Sequence, residues 1–254
     1  MTGTEAATSF RLAYVPGVTP GKWARTWHER VPDVPLELTA VPAAEAAEVL
    51  RGGRADAGLV RLPIDRTGLS AIPLYTETTV VVVPKDHEVA AVDEVSVRDL
   101  DDYVVLHPVD DCLAWESLPG EPPKERPATT ADAIALVAAG VGLLVVPQSL
   151  ARLHHRKDLT YRPMADAPQS RVALSWLEEQ TTGLMEEFIG IVRGRTVNSS
   201  RGRAATPSAA QAEPKRGESG DGRKKPATRK PGSGSTHGTH GTHGTKRGKP
   251  RRRA

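Results

Sequence analysis

Cysteine is almost missing from this chain: Cys112 is the one cysteine among 254 residues, which excludes an intramolecular disulfide. Aromatic residues are scarce, with two Phe, four Tyr and four Trp. No apolar run reaches the roughly 18 residues of a membrane span. The opening MTGTEAATSF has neither the basic start nor the apolar stretch of a secretory leader. A soluble cytoplasmic protein with no membrane partner is the expectation. Enzyme signatures are also missing. There is no G-x-S-x-G elbow, no G-x-x-x-x-G-K-[ST] loop and no G-x-G-x-x-G turn. Cys112 sits in DDCLAW, where two neighbouring acids should raise its thiol pKa and quiet it. These absences predict no enzyme, no catalytic residue, no cofactor and no metal.

What is present divides in two. Residues 197–254 hold 15 Lys+Arg and 3 Asp+Glu, a net of +12. Residues 1–196 hold 19 and 28, a net of −9. The acidic part carries every Trp, Tyr and Phe; the basic part is Gly, Pro, Ser, Thr, Lys and Arg with almost no apolar bulk. Such a composition cannot bury enough surface to offset chain entropy, so residues 197–254 are expected to be a disordered tail.

Within the body, Phe10, Leu12 and Tyr14 alternate with Arg11 and Ala13 before Pro16-Gly17, a strand and a turn. Trp23 and Trp27 share one helical face and read as core. A strand over 36–41, a helix from Pro42 with Ala43, Ala46, Ala47 and Leu50 on one face, and a glycine stop at Gly52-Gly53 follow. A buried strand over 57–60 completes a β-α-β-α-β order, the pattern of a parallel sheet with helices on its faces. Asp56 opens that strand and reads as a structural acid, with Arg54 as a nearby partner. Further on, 69–74 is extended, TTVVVV is a β-branched strand ended by Pro84, and 103–106 is another. Four prolines over 116–128 predict an irregular loop. TTADAIALVAAG is the best helix, capped by Thr129 or Thr130, and LLVVP is a buried strand. Strands over 159–162 and 172–177 and an amphipathic helix marked by Leu184, Phe188, Ile191 and Val192 end the body.

Six stretches in this order, FRLAYVPG, PDVPLELTAVP, EVLRGGRADAGLVR, PLYTETTVVVVPKDHEVA, ADAIALVAAGVGLLVVPQSLA and LMEEFIGIVR, resemble the effector-binding (substrate-binding) domain of LysR-type transcriptional regulators. That domain is related to the type 2 periplasmic binding proteins. The resemblance implies an α/β fold of two Rossmann-like lobes joined by crossing strands, with a small effector in the cleft. Carried onto this chain it implies a domain over 9–196. Lobe I is 9–79 and 169–195; lobe II is 80–168. The chain would cross near 78–84 and return near 163–171. The family's N-terminal helix-turn-helix has no counterpart ahead of Phe10, and the stretch 107–129 is shorter than the family's.

Ligands of such sheets sit beyond the carboxyl ends of the strands, where the strand order reverses. That rule selects the residues after each predicted strand: Gly17, Val18 and Thr19, then Arg61, then His107. The helix start at Thr129 and Thr130 adds free N–H groups and a positive dipole end, which suits a carboxylate. The family's effectors are often small carboxylates. Bland readings stand beside these. Thr129 or Thr130 is a cap regardless, Arg61 suits a surface charge equally, and His107 suits a packed loop.

The tail ends in KRGKPRRR. Arg247-Gly248-Lys249-Pro250 resembles the AT-hook core Arg-Gly-Arg-Pro, with Lys in third place, and Arg251, Arg252 and Arg253 follow. Such arginines suit a narrow minor groove. A nonspecific polycation and a solubilising tail are the plainer alternatives. His237, His240 and His243 in THGTHGTHGT read as a sequence repeat rather than a metal site. The expected function is effector binding in transcriptional regulation, with the tail able to contact DNA. The expected partner is a second copy or a full-length LysR-type regulator. The alternative is a cytoplasmic binding protein with no regulatory role.

Overall fold

The computed structural model describes residues 9–195. The chain runs β1 (Phe10–Tyr14), α1 (Gly21–Arg30), β2 (Leu36–Ala40), α2 (Ala46–Arg51), β3 (Ala57–Leu62), β4 (Leu69–Glu77) and β5 (Thr79–Pro84). It continues through β6 (Val105–Leu106), α3 (Thr130–Ala138), β7 (Leu143–Pro147), α4 (Gln148–Leu153), β8 (Leu159–Pro163), β9 (Ser170–Leu177) and α5 (Gly183–Val192). The strands form two sheets, β2-β1-β3-β9-β4 and β6-β7-β5-β8.

In the first sheet β1 pairs in parallel with β2 and β3, and β9 runs antiparallel to both β3 and β4. The chain leaves β1 for β2 on one side and returns to β3 on the other. The crevice beyond the carboxyl ends of β1 and β3 is therefore a topological switch point. One apolar cluster fills this lobe, centred on aromatics. Phe10 stacks on Trp27 with ring centroids 4.8 Å apart, and Phe188 of α5 closes on both. The Trp27 indole N–H is satisfied by the Val34 carbonyl at 2.8 Å, so the ring is buried without an orphan donor.

The second sheet has no Phe or Trp strand. β5 is buried throughout, and its valines alternate: Val80 and Val82 join one apolar cluster, Val81 and Val83 the other. A β-branched run suits this because successive side chains serve opposite faces.

The expected TTVVVV strand is present as β5, paired on both sides, and the chain passes between sheets at Thr78, between β4 and β5. Several elements differ from the sequence expectation. β6 is shorter than 103–106, and just ahead of it Glu121 pairs backbone with Tyr103 and Val105 as an isolated bridge. The proline-rich stretch is thereby laid against the sheet. The helix after Pro42 begins as a 3₁₀ turn, Ala43–Glu45, before α2. Asp56 bonds Arg11, not Arg54. It accepts the Arg11 backbone N–H at 2.7 Å and its guanidinium at 2.6 Å, tying β1 to the start of β3.

Candidate functional site

Four segments converge at the switch point. Pro16 and Gly17 follow β1, Arg61 is the penultimate residue of β3, β4 ends at Glu77, and β9 begins at Ser170. Arg61 is only 5% exposed, so it is not the surface charge its residue type would suggest. Its Nη1 donates to the Glu77 carboxylate and, at 2.7 Å, to Ser170 Oγ. Its Nη2 donates to the Pro16 carbonyl at 3.0 Å and to Ser149 Oγ at 3.1 Å. Ser149 lies in the first turn of α4, directly after the second sheet's β7, so this last bond links the two lobes.

Gly17 belongs to the same corner. Its φ of +83° places it in the left-handed region, and a Cβ there would stand 2.6 Å from Ser149 Oγ and 2.9 Å from Arg61 Nη2. Val18, by contrast, is 3% exposed and packs into the first lobe's core. Thr19 is exposed and, with Gly21, Lys22, Trp23 and Tyr75, lines a recess of about 270 Å³. No side chain caps α1 and no acid lies in its first turn, so its dipole faces this recess uncompensated. Lys22 Nζ lies 4.7 Å from the Trp23 ring centroid. The Tyr75 hydroxyl is held above the ordinary phenol range, first by burial and then by the Glu77 charge, with Arg61 opposing.

The remaining candidates cluster elsewhere, on the 107–130 stretch of the second lobe. His107 is 3% exposed, with Nε2 3.3 Å from the Pro119 carbonyl. Burial pushes its pKa down, which keeps the ring neutral at neutral pH. Arg126 donates to the carbonyls of His107 and Pro108, both at 2.9 Å, and holds the loop to the strand end. Thr129 caps α3: its hydroxyl accepts the Asp132 N–H at 3.1 Å and donates to the Asp132 carboxylate at 2.7 Å. Thr130 is buried and donates to Asp110 at 2.9 Å. Both hydroxyls are therefore engaged by the chain itself.

Arg61 and Gly17 are thus brought together, Thr19 lines a recess of the first lobe, and His107, Thr129 and Thr130 lie elsewhere, engaged by their own stretch. Sequence reasoning missed Glu77, Ser149, Ser170 and Tyr75. Glu77 carried a signal: it is a lone acid between threonines at the junction of two predicted strands.

Cys112 lies on the 107–130 stretch. Its thiol is pushed up to about 11, first by burial; the Arg61 guanidinium opposes the rise, while Asp111 and Glu77 add to it. The neighbouring acids anticipated from sequence are the lesser cause. Among the described residues, no group of three or more His, Cys, Asp or Glu could hold a metal ion, and no helix is long and apolar enough to cross a membrane. His237, His240 and His243, and the tail residues Arg247, Lys249, Arg251, Arg252 and Arg253, lie outside the described residues.

Two sheets flanked by helices, joined at Thr78 and again between β8 and β9, with polar groups gathered where the lobes meet, define a two-lobed α/β fold. The sequence profile of the LysR substrate binding domain matches residues 4–196, and the chain belongs to that family.

The chain is 27% identical over 177 residues to the Hca operon transcriptional activator HcaR of Escherichia coli, covering 65% of this chain and 60% of the relative. It is 32% identical over 130 residues to a probable hydrogen peroxide-inducible genes activator of Mycobacterium avium, covering 48% and 42%. The chain thus spans about half the length of these relatives. Among solved structures, the BenM effector binding domain with its effector benzoate superposes with a TM-score of 0.61 at 20% identity, covering 75% of this chain and 92% of that one. The oxidised form of OxyR gives 0.60 at 20% identity, covering 73% and 92%. At that identity the likeness is one of fold.

Proposed function

We propose that this chain senses a small molecule held where its two lobes meet and uses the bound state to regulate transcription. The observation that carries the reading is the family match over 4–196 on a fold whose switch point is ringed by polar groups and whose first lobe carries a 270 Å³ recess lined by Thr19, Lys22, Trp23 and Tyr75. Regulators are the named relatives, and a ligand bridging the lobes would bias their closure by its differential affinity for the closed state. Thr19, Lys22, Trp23 and Tyr75 are the side chains assigned to the ligand. Arg61 and Gly17 shape its inner end. We take residues 9–79 with 169–195 as one lobe, 80–168 as the other, and a cytoplasmic location. A second copy, or a full-length LysR-type regulator, is the partner. The tail from 197, with Arg247, Lys249 and Arg251 to Arg253, is assigned to nucleic acid, where its net positive charge would act mainly on phosphates.

The test has two arms. A thermal-shift screen against small carboxylates, amides and amino acids finds ligands, whose effect must follow RT ln(1 + [L]/Kd) and be lost in Thr19→Ala with Lys22→Ala. A DNA shift assay then compares the full chain with one ending at residue 196. If neither binds DNA nor co-purifies with a DNA-binding regulator, the regulatory reading fails and a plain binding protein remains.

The relatives named as hydrogen peroxide-inducible activators suggest a redox reading. Cys112 weighs against it. A thiol pushed up to about 11 is almost wholly protonated at neutral pH, and the thiolate is the reactive form. Slow labelling of Cys112 by a thiol reagent at pH 7 is the expected result; rapid labelling reverses the preference.

A further inference from the structure

A guanidinium carries five N–H donors. The four on the Nη atoms of Arg61 are taken by the chain itself: Glu77 and Ser170 on Nη1, the Pro16 carbonyl and Ser149 on Nη2. The two charged side chains are buried, at 3% and 9% exposure. Glu77 is fixed by the sheet, since it ends β4 and stands in register with Ser170 at the start of β9. The corner has no slack either, because a single added methyl at Gly17 would collide with Ser149 and Arg61. A carboxylate arriving from solvent would have to expel Glu77 and leave that charge buried without a partner, which is strongly unfavourable. A neutral amide, carbonyl or hydroxyl displaces no charge.

The geometry points to Glu77 as a built-in occupant of an anion subsite. The chain fills the carboxylate position opposite Arg61 with its own side chain, so the intact protein admits no carboxylate at this corner. The statement rests on the proposed function only in treating the corner as part of a ligand site; the subsite itself depends on Arg61 and Glu77 alone. It also narrows the small-carboxylate expectation. Any acid group of a ligand belongs at the recess by Lys22 and the start of α1, not opposite Arg61.

Removing the occupant should open the subsite to a replacement. The full-length chain, intact or as Glu77→Ala, is melted in acetate, in acetamide and in chloride, at constant ionic strength. Acetate and acetamide differ little in size and wholly in charge. Acetate is expected to raise the melting temperature of Glu77→Ala and leave the intact protein unmoved, with acetamide and chloride inert on both. The implied acetate affinity should be at least about tenfold higher for Glu77→Ala than for the intact chain, which is the effect of one modest ionic hydrogen bond. Adding Arg61→Met to Glu77→Ala should abolish the acetate effect. Where Glu77→Ala does not fold unaided, acetate-specific recovery of the far-ultraviolet circular dichroism is the same readout, and Glu77→Ser repeats it in a less disrupted corner. Equal responses to acetate and acetamide, equal responses of variant and intact protein, or persistence of the effect without Arg61 each overturn the subsite. If acetate fills the corner while ligands of the intact protein ignore Thr19→Ala and Lys22→Ala, the subsite stands and the interlobe reading falls.

Discussion

The two ends of β3 carry the same chemistry in opposite surroundings. At its leading end Asp56 pairs with Arg11, with side chains 30% and 39% exposed. At its carboxyl end Arg61 pairs with Glu77, at 3% and 9%. Water screens the first pair and competes for its hydrogen bonds, so it contributes little. The second has lost its water and depends on its partners to satisfy it. The difference teaches that one arginine-carboxylate pair can be a solvated seam between strands while another, five residues along, is sealed from water and bound to the satisfaction of its partners.

Breaking the buried pair gives the largest expected effect. Arg61→Ala leaves Glu77 buried without a counter-charge and should cost about 3–5 kcal/mol in urea denaturation. Gly17→Ala tests the packing around that pair. A left-handed backbone costs a non-glycine residue about 1–2 kcal/mol, and the new methyl would also press on Ser149 and Arg61. A thermal melt showing no loss would mean that the corner yields more easily than its geometry implies. Asp56→Asn probes the exposed end and should cost less than about 1 kcal/mol, shrinking further as salt is added. A loss equal to that of Arg61→Ala would erase the contrast between the two ends.

The smallest effect belongs to His107, which is buried with a carbonyl for a partner rather than a counter-charge. Its folded pKa lies below its ordinary value of 6.5, so the unfolded chain binds the extra proton more readily. This group's contribution is therefore intact above pH 6.5 and declines as pH falls below it. His107→Gln should flatten the stability profile in that window and leave the neutral plateau in place.

Much of the fold was legible because the body obeys local rules. The β-α-β-α-β opening, the valine run of β5, the Thr129 cap and the last amphipathic helix each follow from side-chain period or capping chemistry over a few residues. The short β6 was not legible, since Glu121 supplies its extra pairing from a stretch that looks irregular. The site was legible only in outline. The strand-end rule found Gly17, Thr19 and Arg61 because it concerns position along single strands. It could not find Ser149 or Ser170, which reach Arg61 through tertiary geometry, from positions 88 and 109 residues away. His107 and Thr130 satisfied the same rule but are engaged by their own loop, a competition that spacing alone does not reveal.

The placement of β9 has a consequence for how the chain comes to be folded. β9 lies between β3 and β4, so Leu59 and Ile72 both align with Leu174. The first sheet cannot close until the whole second sheet has been synthesised, whereas the second sheet is continuous from Thr79 to Pro163. During translation the valine-rich lobe can therefore complete first, while β3 and β4 wait with open edges. Those waiting edges carry the long-range pairings that slow folding and expose a nascent chain to misassociation. In this molecule the lobes are completed in the reverse of the order in which they begin: the lobe that begins first is finished last.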